Sequence, residues 1–328
     1  MKVARILFLF VGVALLATII ANTNLRDAIE LVADMSWGLV IVLGLFFVSF
    51  LGDVLAWQLT LAGLTGTRWF GRLWLIRMVG EAFNYTIPAG GMGGEPVKAT
   101  LLKRHFRINY DETIASLVMV KTINLVALIA FLSIGFALMK FSPAIENSYR
   151  NVAGIGLLIL IVAISAFFVV QRFGLLSSFA ALFKRPANHL WAANMVAKIE
   201  DVESRFKKFY VGSSAKFVLA LCVAFAVWCV GVGEIYATLY FLGYPVTLSE
   251  AWMIEAAAQL IRSGTFFIPA SIGAQEGIFV IMCSVFTGTP VAGFATALVR
   301  RIREILWVAT GFALGAAFPK FCRPVSKS

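Results

Sequence analysis

Glu95 and Glu276 are carboxylates set at matching places in an apolar chain. The first closes the stretch IPAGGMGGE (Ile87 to Glu95), the second closes IPASIGAQE (Ile268 to Glu276). The stretches share Ile, Pro, Ala and Glu at the same positions, interrupt a hydrophobic run with Pro and small residues, and lead into another apolar run. A carboxylate so placed binds a proton, a cation or a substrate amine, or pairs with basic groups nearby. It also serves as a cap, accepting from orphan N–H groups at the positive end of the half-helix that follows. The two roles are compatible. The glycines of GGMGG permit close backbone approach and offer N–H groups to an anion such as a lipid phosphate, and a tight turn needs the same residues.

The cations lie at comparable depth. The offset of 181 residues between the two stretches carries Lys121 onto Ile302, which Arg301 and Arg303 flank and Arg300 adjoins. An arginine cluster about ten residues into the 28-residue run Val291 to Phe318 cannot easily snorkel to the interface. These groups are expected to face the interior, neutralising Glu95, Glu276 or a phosphate, with a purely structural buried ion pair as the plainer alternative. Asn124, one turn after Lys121, shares its face. Asn84 and Glu81 make the segment before the first break polar. Arg262 and Glu255 on the arm before the second break, Glu234 and Asp53 are further cavity candidates.

What must position these side chains follows from composition. Of 328 residues, 60% are hydrophobic and 14% charged, too few charges to coat a water-soluble surface. Several apolar runs of about 18 residues make the chain an all-α polytopic membrane protein. The net charge of +11 is then the positive-inside bias and attraction to anionic headgroups, and nucleic acid is not an expected partner. Four cysteines form no CxxC and no metal spacing, so neither a metal nor a cofactor is expected. His105 and His189 fall in basic loops and are expected to be solvated.

In chain order, a basic start precedes a first helix from Ile6 to Ala21, read as uncleaved with its N-terminus inside. An acidic loop with Arg26, Asp27, Glu30 and Asp34 lies outside, and a helix from Trp37 to Leu64 returns to the cytoplasmic cluster Arg68, Arg72 and Arg77. Leu73 to Ile87 is short, breaks at Pro88, and restarts at Pro96 before reaching Lys103, Arg104 and Arg107. Leaving and returning to basic loops reads as a re-entrant hairpin. Thr113 to Met139, Asn151 to Val170 and Phe217 to Leu242 are full spans. Ala251 to Phe267 and Ile272 to Phe286 form a second hairpin, and Val291 to Phe318 is the last span before a basic tail. Three full spans separate the hairpins, so they enter from opposite faces, as in inverted-repeat transporters. The expectation is six full transmembrane helices plus two re-entrant helical hairpins, eight hydrophobic segments in all. The repeat halves are about 37–139 and 217–318. In the insertion of about 172–216, Ala192, Met195, Ile199, Val202, Phe206 and Phe209 predict a cytoplasmic amphipathic helix.

With these residues in view, the chain resembles the flippase-like family related to the transmembrane region of lysylphosphatidylglycerol synthases, which has hopanoid-associated relatives. The likeness lies in FNYTIPAGGMGGEPVKATLLKR (Phe83 to Arg104), SIGAQEGIFV (Ser271 to Val280) and the arginines within the final span. GGEPVKA matches the family's Gly-Glu-x-Val-Arg-type turn with Lys98 at the basic position. Where relatives often carry an Arg and an Asp in the third span, this chain has Lys121 and Asn124, so no argument rests on a carboxylate there. The resemblance implies lipid translocation or recognition, with anionic or aminoacylated phospholipids, hopanoids or isoprenoid lipids as cargo. The soluble aminoacyl-transfer domain of full synthases is not expected within these 328 residues.

The functional expectation is a lipid flippase of a bacterial cytoplasmic (inner) membrane, multi-pass with both termini inside. Glu95 and Glu276 hold a cationic group or proton, while Lys98, Lys121, Arg300, Arg301 and Arg303 hold the phosphate. With no nucleotide-binding motif, an ion or lipid gradient supplies the energy. A membrane-embedded lipid-modifying enzyme using the two carboxylates as acid and base is a second expectation, disfavoured by the lack of intramembrane His or a Ser–His pairing. A non-transporting partner of an envelope-synthesis enzyme, docking through the amphipathic helix, is a third.

Overall fold

The computed structural model describes residues 13–21, 23–61, 64, 66–87, 92–173 and 214–321. The amphipathic helix expected in the insertion, His189 and Cys322 lie outside the described residues, as does the expected start of the first helix.

Among the described residues the chain is helical without a strand. A short helix α1 (residues 13–21) is followed by α2 (Leu25–Asp34), α3 (Trp37–Thr60), α4 (Thr67–Thr86), α5 (Glu95–Phe106) and α6 (Tyr110–Phe141). Then come α7 (Asn147–Phe173), α8 (Ser214–Phe241), α9 (Leu248–Gly264), a 3₁₀ turn (Pro269–Ser271), α10 (Ala274–Thr287) and α11 (Pro290–Phe321). Among the described residues, five stretches are long and apolar enough to cross a membrane: α3, α6, Asn147–Val170 of α7, α8, and Pro269–Thr287, where turn and α10 are taken together. The protein is an integral multi-pass membrane protein. The last helix, expected as a full span, is not among the five; Arg300, Arg301, Arg303 and Glu304 fall within little more than one of its turns.

Two expectations about surfaces are corrected. The acidic segment expected as a loop is helix α2, which buries Ala28, with Met35 just beyond it, in a cluster with Val42, Phe294 and Val299. Apolar residues on one face pull it onto α11 while Arg26, Asp27 and Glu30 stay outside. His105, expected to be solvated, is buried in the last turn of α5, its ring edge-on to Phe318 at 4.9 Å. Imidazole next to an apolar surface packs like an aromatic ring, and its loop-like basic neighbours conceal that.

The element lengths repeat. The set α3 to α6 has 24, 20, 12 and 32 residues, and the set α8 to α11 has 28, 17, 14 and 32. The break between the second and third helix of each set falls at one of the two IPA stretches. The sets interlock: α3 lies along α8, α11 packs on α4, and α6 packs on α9. One core joins Val54 and Trp57 of α3 to Ile76 of α4, Leu102 of α5 and Phe318 of α11. A second joins Phe131 of α6 to Ile235 of α8, Ile254 of α9 and Phe279 of α10. Each broken pair is therefore clamped by long helices from both sets.

Candidate functional site

At the first break, α4 starts earlier than expected, at Thr67, and ends at Thr86 as the break predicted; α5 restarts at Glu95 with Pro at its second position, where a missing N–H costs nothing. The two arms touch at glycine. A Cβ on Gly94 would run into the Gly80 carbonyl, so that crossing requires glycine. Asn84 ties the break: its Oδ1 accepts from the Gly94 N–H at 2.7 Å and its Nδ2 donates to Glu81 at 3.1 Å. The second break is made differently. Ala270, Ser271 and Gly273 have φ of 50°, 49° and 81°, a left-handed reversal that only glycine adopts freely. Glu276 Oε2 then accepts from the Gly273 N–H at 2.7 Å, the capping role expected of it. The arm leading in, α9, begins with a capping box in which Thr247 Oγ1 and the Glu250 carboxylate satisfy each other's backbone N–H.

The charged side chains at these breaks form two clusters. In the first, Lys98 Nζ lies 3.2 Å from Glu95 Oε1 and 3.8 Å from Glu81, and Lys121 Nζ approaches the same Glu95 oxygen at 3.6 Å. Arg77 pairs with Asp53 at 2.7 Å, and Asn124 donates to the other Asp53 oxygen at 3.4 Å. In the second, Arg301 bridges Glu276 at 2.6 Å and Glu304 at 2.7 Å. Arg300 pairs with Glu255 at 2.6 Å, Arg303 pairs with Glu234, and Arg262 stands 3.9 Å from Glu304. Gln259 also donates to Glu255, at 2.7 Å. Both clusters are balanced in formal charge: Asp53, Glu81 and Glu95 against Arg77, Lys98 and Lys121, then Glu234, Glu255, Glu276 and Glu304 against Arg262, Arg300, Arg301 and Arg303. Neutrality is what makes such groups tolerable away from water.

The clusters meet. The Arg262 guanidinium donates to the Tyr85 hydroxyl at 3.4 Å and lies 5.7 Å from that ring's centre, joining α9 to α4. Glu81 is also close enough to act on Arg262 through its charge.

The expected residues thus separate by what they reach. Glu95, Lys121 and Lys98 come together, as do Glu276 and Arg301. The offset that aligned Lys121 with Ile302 is one residue out in role, because Arg301 meets Glu276 as Lys121 meets Glu95. Lys98, Arg300 and Arg303, expected to hold a phosphate, are buried against Glu81 and Glu95, Glu255 and Glu234. Phe279 and Phe46 cover the Arg300 and Arg303 guanidinium groups at 4.9 Å and 4.0 Å. Asn124 shares Lys121's helix but turns to Asp53 instead of Glu95. Arg77, expected to mark a cytoplasmic loop, is an interior partner of Asp53. Glu304 and Tyr85 were missed. Glu304 had a legible signal, three residues from Arg301 on one helix face; Tyr85 had none.

The two most accessible charges of the clusters are cations. The Lys121 and Arg262 side chains are 44% and 37% exposed, whereas Glu95, Glu304 and Glu276 are 12%, 6% and 5% exposed. The other carboxylates of the first cluster are less shielded, Glu81 at 30% and Asp53 at 21% exposed, while Lys98, Arg300 and Arg303 are at most 5% exposed. Among the described residues no group of His, Cys, Asp or Glu has a metal-binding arrangement.

A chain with this plan has relatives. A UPF0104 membrane protein from Methanothermobacter thermautotrophicus is 21% identical over 341 residues, covering 100% of this chain and 98% of that protein. No solved structure matches. Residues 3–312 match the family described as the lysylphosphatidylglycerol synthase TM region, and the chain belongs to that family.

Proposed function

We propose that the protein carries a phosphate-bearing lipid headgroup between the leaflets of a cytoplasmic membrane, both termini inside. In this reading α3–α6 and α8–α11 are an inverted repeat, and the α4–α5 and α9–α10 pairs are re-entrant hairpins whose breaks meet in a polar layer. The helices α5 and α10, of 12 and 14 residues, span about 18 and 21 Å, short of a hydrocarbon core of about 30 Å. The odd number of long helices between the hairpins among the described residues, α6, α7 and α8, supports entry from opposite faces.

The observation that carries the proposal is that Lys121 and Arg262, the two most accessible charges of the clusters, are paired with Glu95 and Glu304, which are only 12% and 6% exposed. Such an arrangement attracts an anion and leaves Glu95 and Glu276 as supports for the cations, in place of the cation-binding role expected of them. Transport is favoured over catalysis because Glu276 is engaged by Arg301 and the Gly273 N–H together, an arrangement unsuited to moving protons on a substrate.

The test is reconstitution in vesicles with a fluorescent phospholipid in both leaflets, followed by quenching of the outer leaflet. Wild type is expected to expose the inner pool on a timescale of minutes, and Lys121→Ala with Arg262→Ala to slow it at least tenfold. Equal quenching in protein-free and wild-type vesicles, across zwitterionic and anionic probes, refutes the reading.

A further inference from the structure

The first cluster differs from the second in how its carboxylates are held. Arginines hold the second, and a guanidinium keeps its charge under all ordinary conditions. The first depends on lysines, and one of them is shared. Lys98, 3% exposed, stands between Glu81 and Glu95, and Lys121 completes the neutralisation of Glu95. The second oxygen of Glu95, Oε2, is buried and has no hydrogen-bond partner among the described residues. Around Glu95 stand Lys98 on its own helix, Arg77 and Glu81 on α4, and Lys121 on α6. Asp53 on α3 is engaged by Arg77, and Arg262 on α9 acts on Glu81.

We infer that capture of an anionic headgroup by Lys121 draws Lys121 from Glu95 and is accompanied by uptake of one proton on the Glu81–Lys98–Glu95 group, so that the carrier is proton-coupled. This rests on the proposed headgroup site. A phosphodiester that takes Lys121 leaves two carboxylates facing one buried lysine, a net negative charge within the protein. An uncompensated charge there costs several kcal/mol, and a single proton removes it. The proton comes from water, enters the unpartnered Oε2 or the facing Glu81 oxygen, and belongs to the pair and not to one residue. No bond other than O–H forms.

The test uses the purified full chain in detergent with dihexanoyl phosphatidylglycerol, whose single phosphodiester charge is constant across the working pH. Calorimetry in two buffers of different ionisation enthalpy counts protons taken up on binding. The expected result is about one proton per ligand, with affinity falling about tenfold for each unit of rising pH. Glu95→Gln and Glu81→Gln each leave Lys98 with one carboxylate, so both are expected to bind the lipid with no proton uptake and a flat pH dependence. Pairing of the two variants guards against one that misfolds. Wild-type binding that is independent of pH, or that tracks sodium in place of protons, overturns proton coupling while leaving the headgroup site intact. Absence of binding by wild type removes the site itself, and with it this inference. Tail-free glycerophosphoglycerol is expected to bind at least tenfold more weakly; equal affinity overturns the lipid as the source of the anion.

Discussion

Tyr85 and Arg262 are 177 residues apart in sequence, yet the guanidinium of one donates to the hydroxyl of the other at 3.4 Å. The contact joins the last turn of α4 to the last turn of α9, immediately before the two breaks. It ties α9 to α4 across the two sets of helices and places the partly exposed Arg262 beside the first cluster, whose Glu81 is 30% exposed.

Tyr85→Phe keeps the ring under Arg262 and removes the hydroxyl. A small loss is expected, about 0.5–1 kcal/mol of coupling to Arg262 in a double-mutant cycle on lipid transfer rate. Tyr85→Ala should lose more. Strict additivity of Tyr85→Phe and Arg262→Ala would show that the contact carries no energy.

The Arg303–Glu234 pair is buried and one partner alone is unsupportable. Glu234→Gln or Arg303→Met should each destabilise by about 3–5 kcal/mol, while the double substitution recovers most of that loss. Thermal unfolding followed by tryptophan fluorescence in detergent checks this. Equal damage in the single and double variants would contradict it.

Lys98 and Lys121 should separate by phenotype although both touch Glu95. Lys98→Ala leaves Glu81 and Glu95 facing each other, so it should lower the unfolding temperature, and adding Glu81→Gln should restore it. Lys121→Ala, at an exposed position, should keep the fold and lose binding of an anionic short-chain lipid. The readouts are unfolding temperature and binding affinity, measured on the same preparations.

Gly94→Ala forces a methyl group into the Gly80 carbonyl and should abolish accumulation of folded protein, judged by size-exclusion chromatography of detergent extracts. Gly71→Ala, on α4 with open space at its Cβ, should be neutral or stabilise by up to about 1 kcal/mol through helix propensity. A folded Gly94→Ala variant would mean the arms do not cross so closely.

The membrane class, the long apolar helices and the two breaks were legible in the residues themselves, because hydropathy and Pro–Gly punctuation act locally. Neutralisation of each break carboxylate by a cation on the third or last long span was legible only as one of several roles, since the IPA stretches and the basic residues recur at nearly one offset; Lys121 beside Glu95 and Arg301 beside Glu276 fill that role. Which cation meets which carboxylate was not legible. The offset chose Ile302 where the fold uses Arg301, and a slip of one residue turns a helical side chain by about 100°. Nor did the chain announce that Arg77 is interior, that His105 packs on Phe318, or that Lys98, Arg300 and Arg303 are internally neutralised. Those outcomes depend on α11 packing on α4 and α3 lying along α8. A charge has the same sequence signature in a loop, a cavity or a buried pair. Only the helices brought around it decide whether water, a ligand or another side chain supplies its counter-charge.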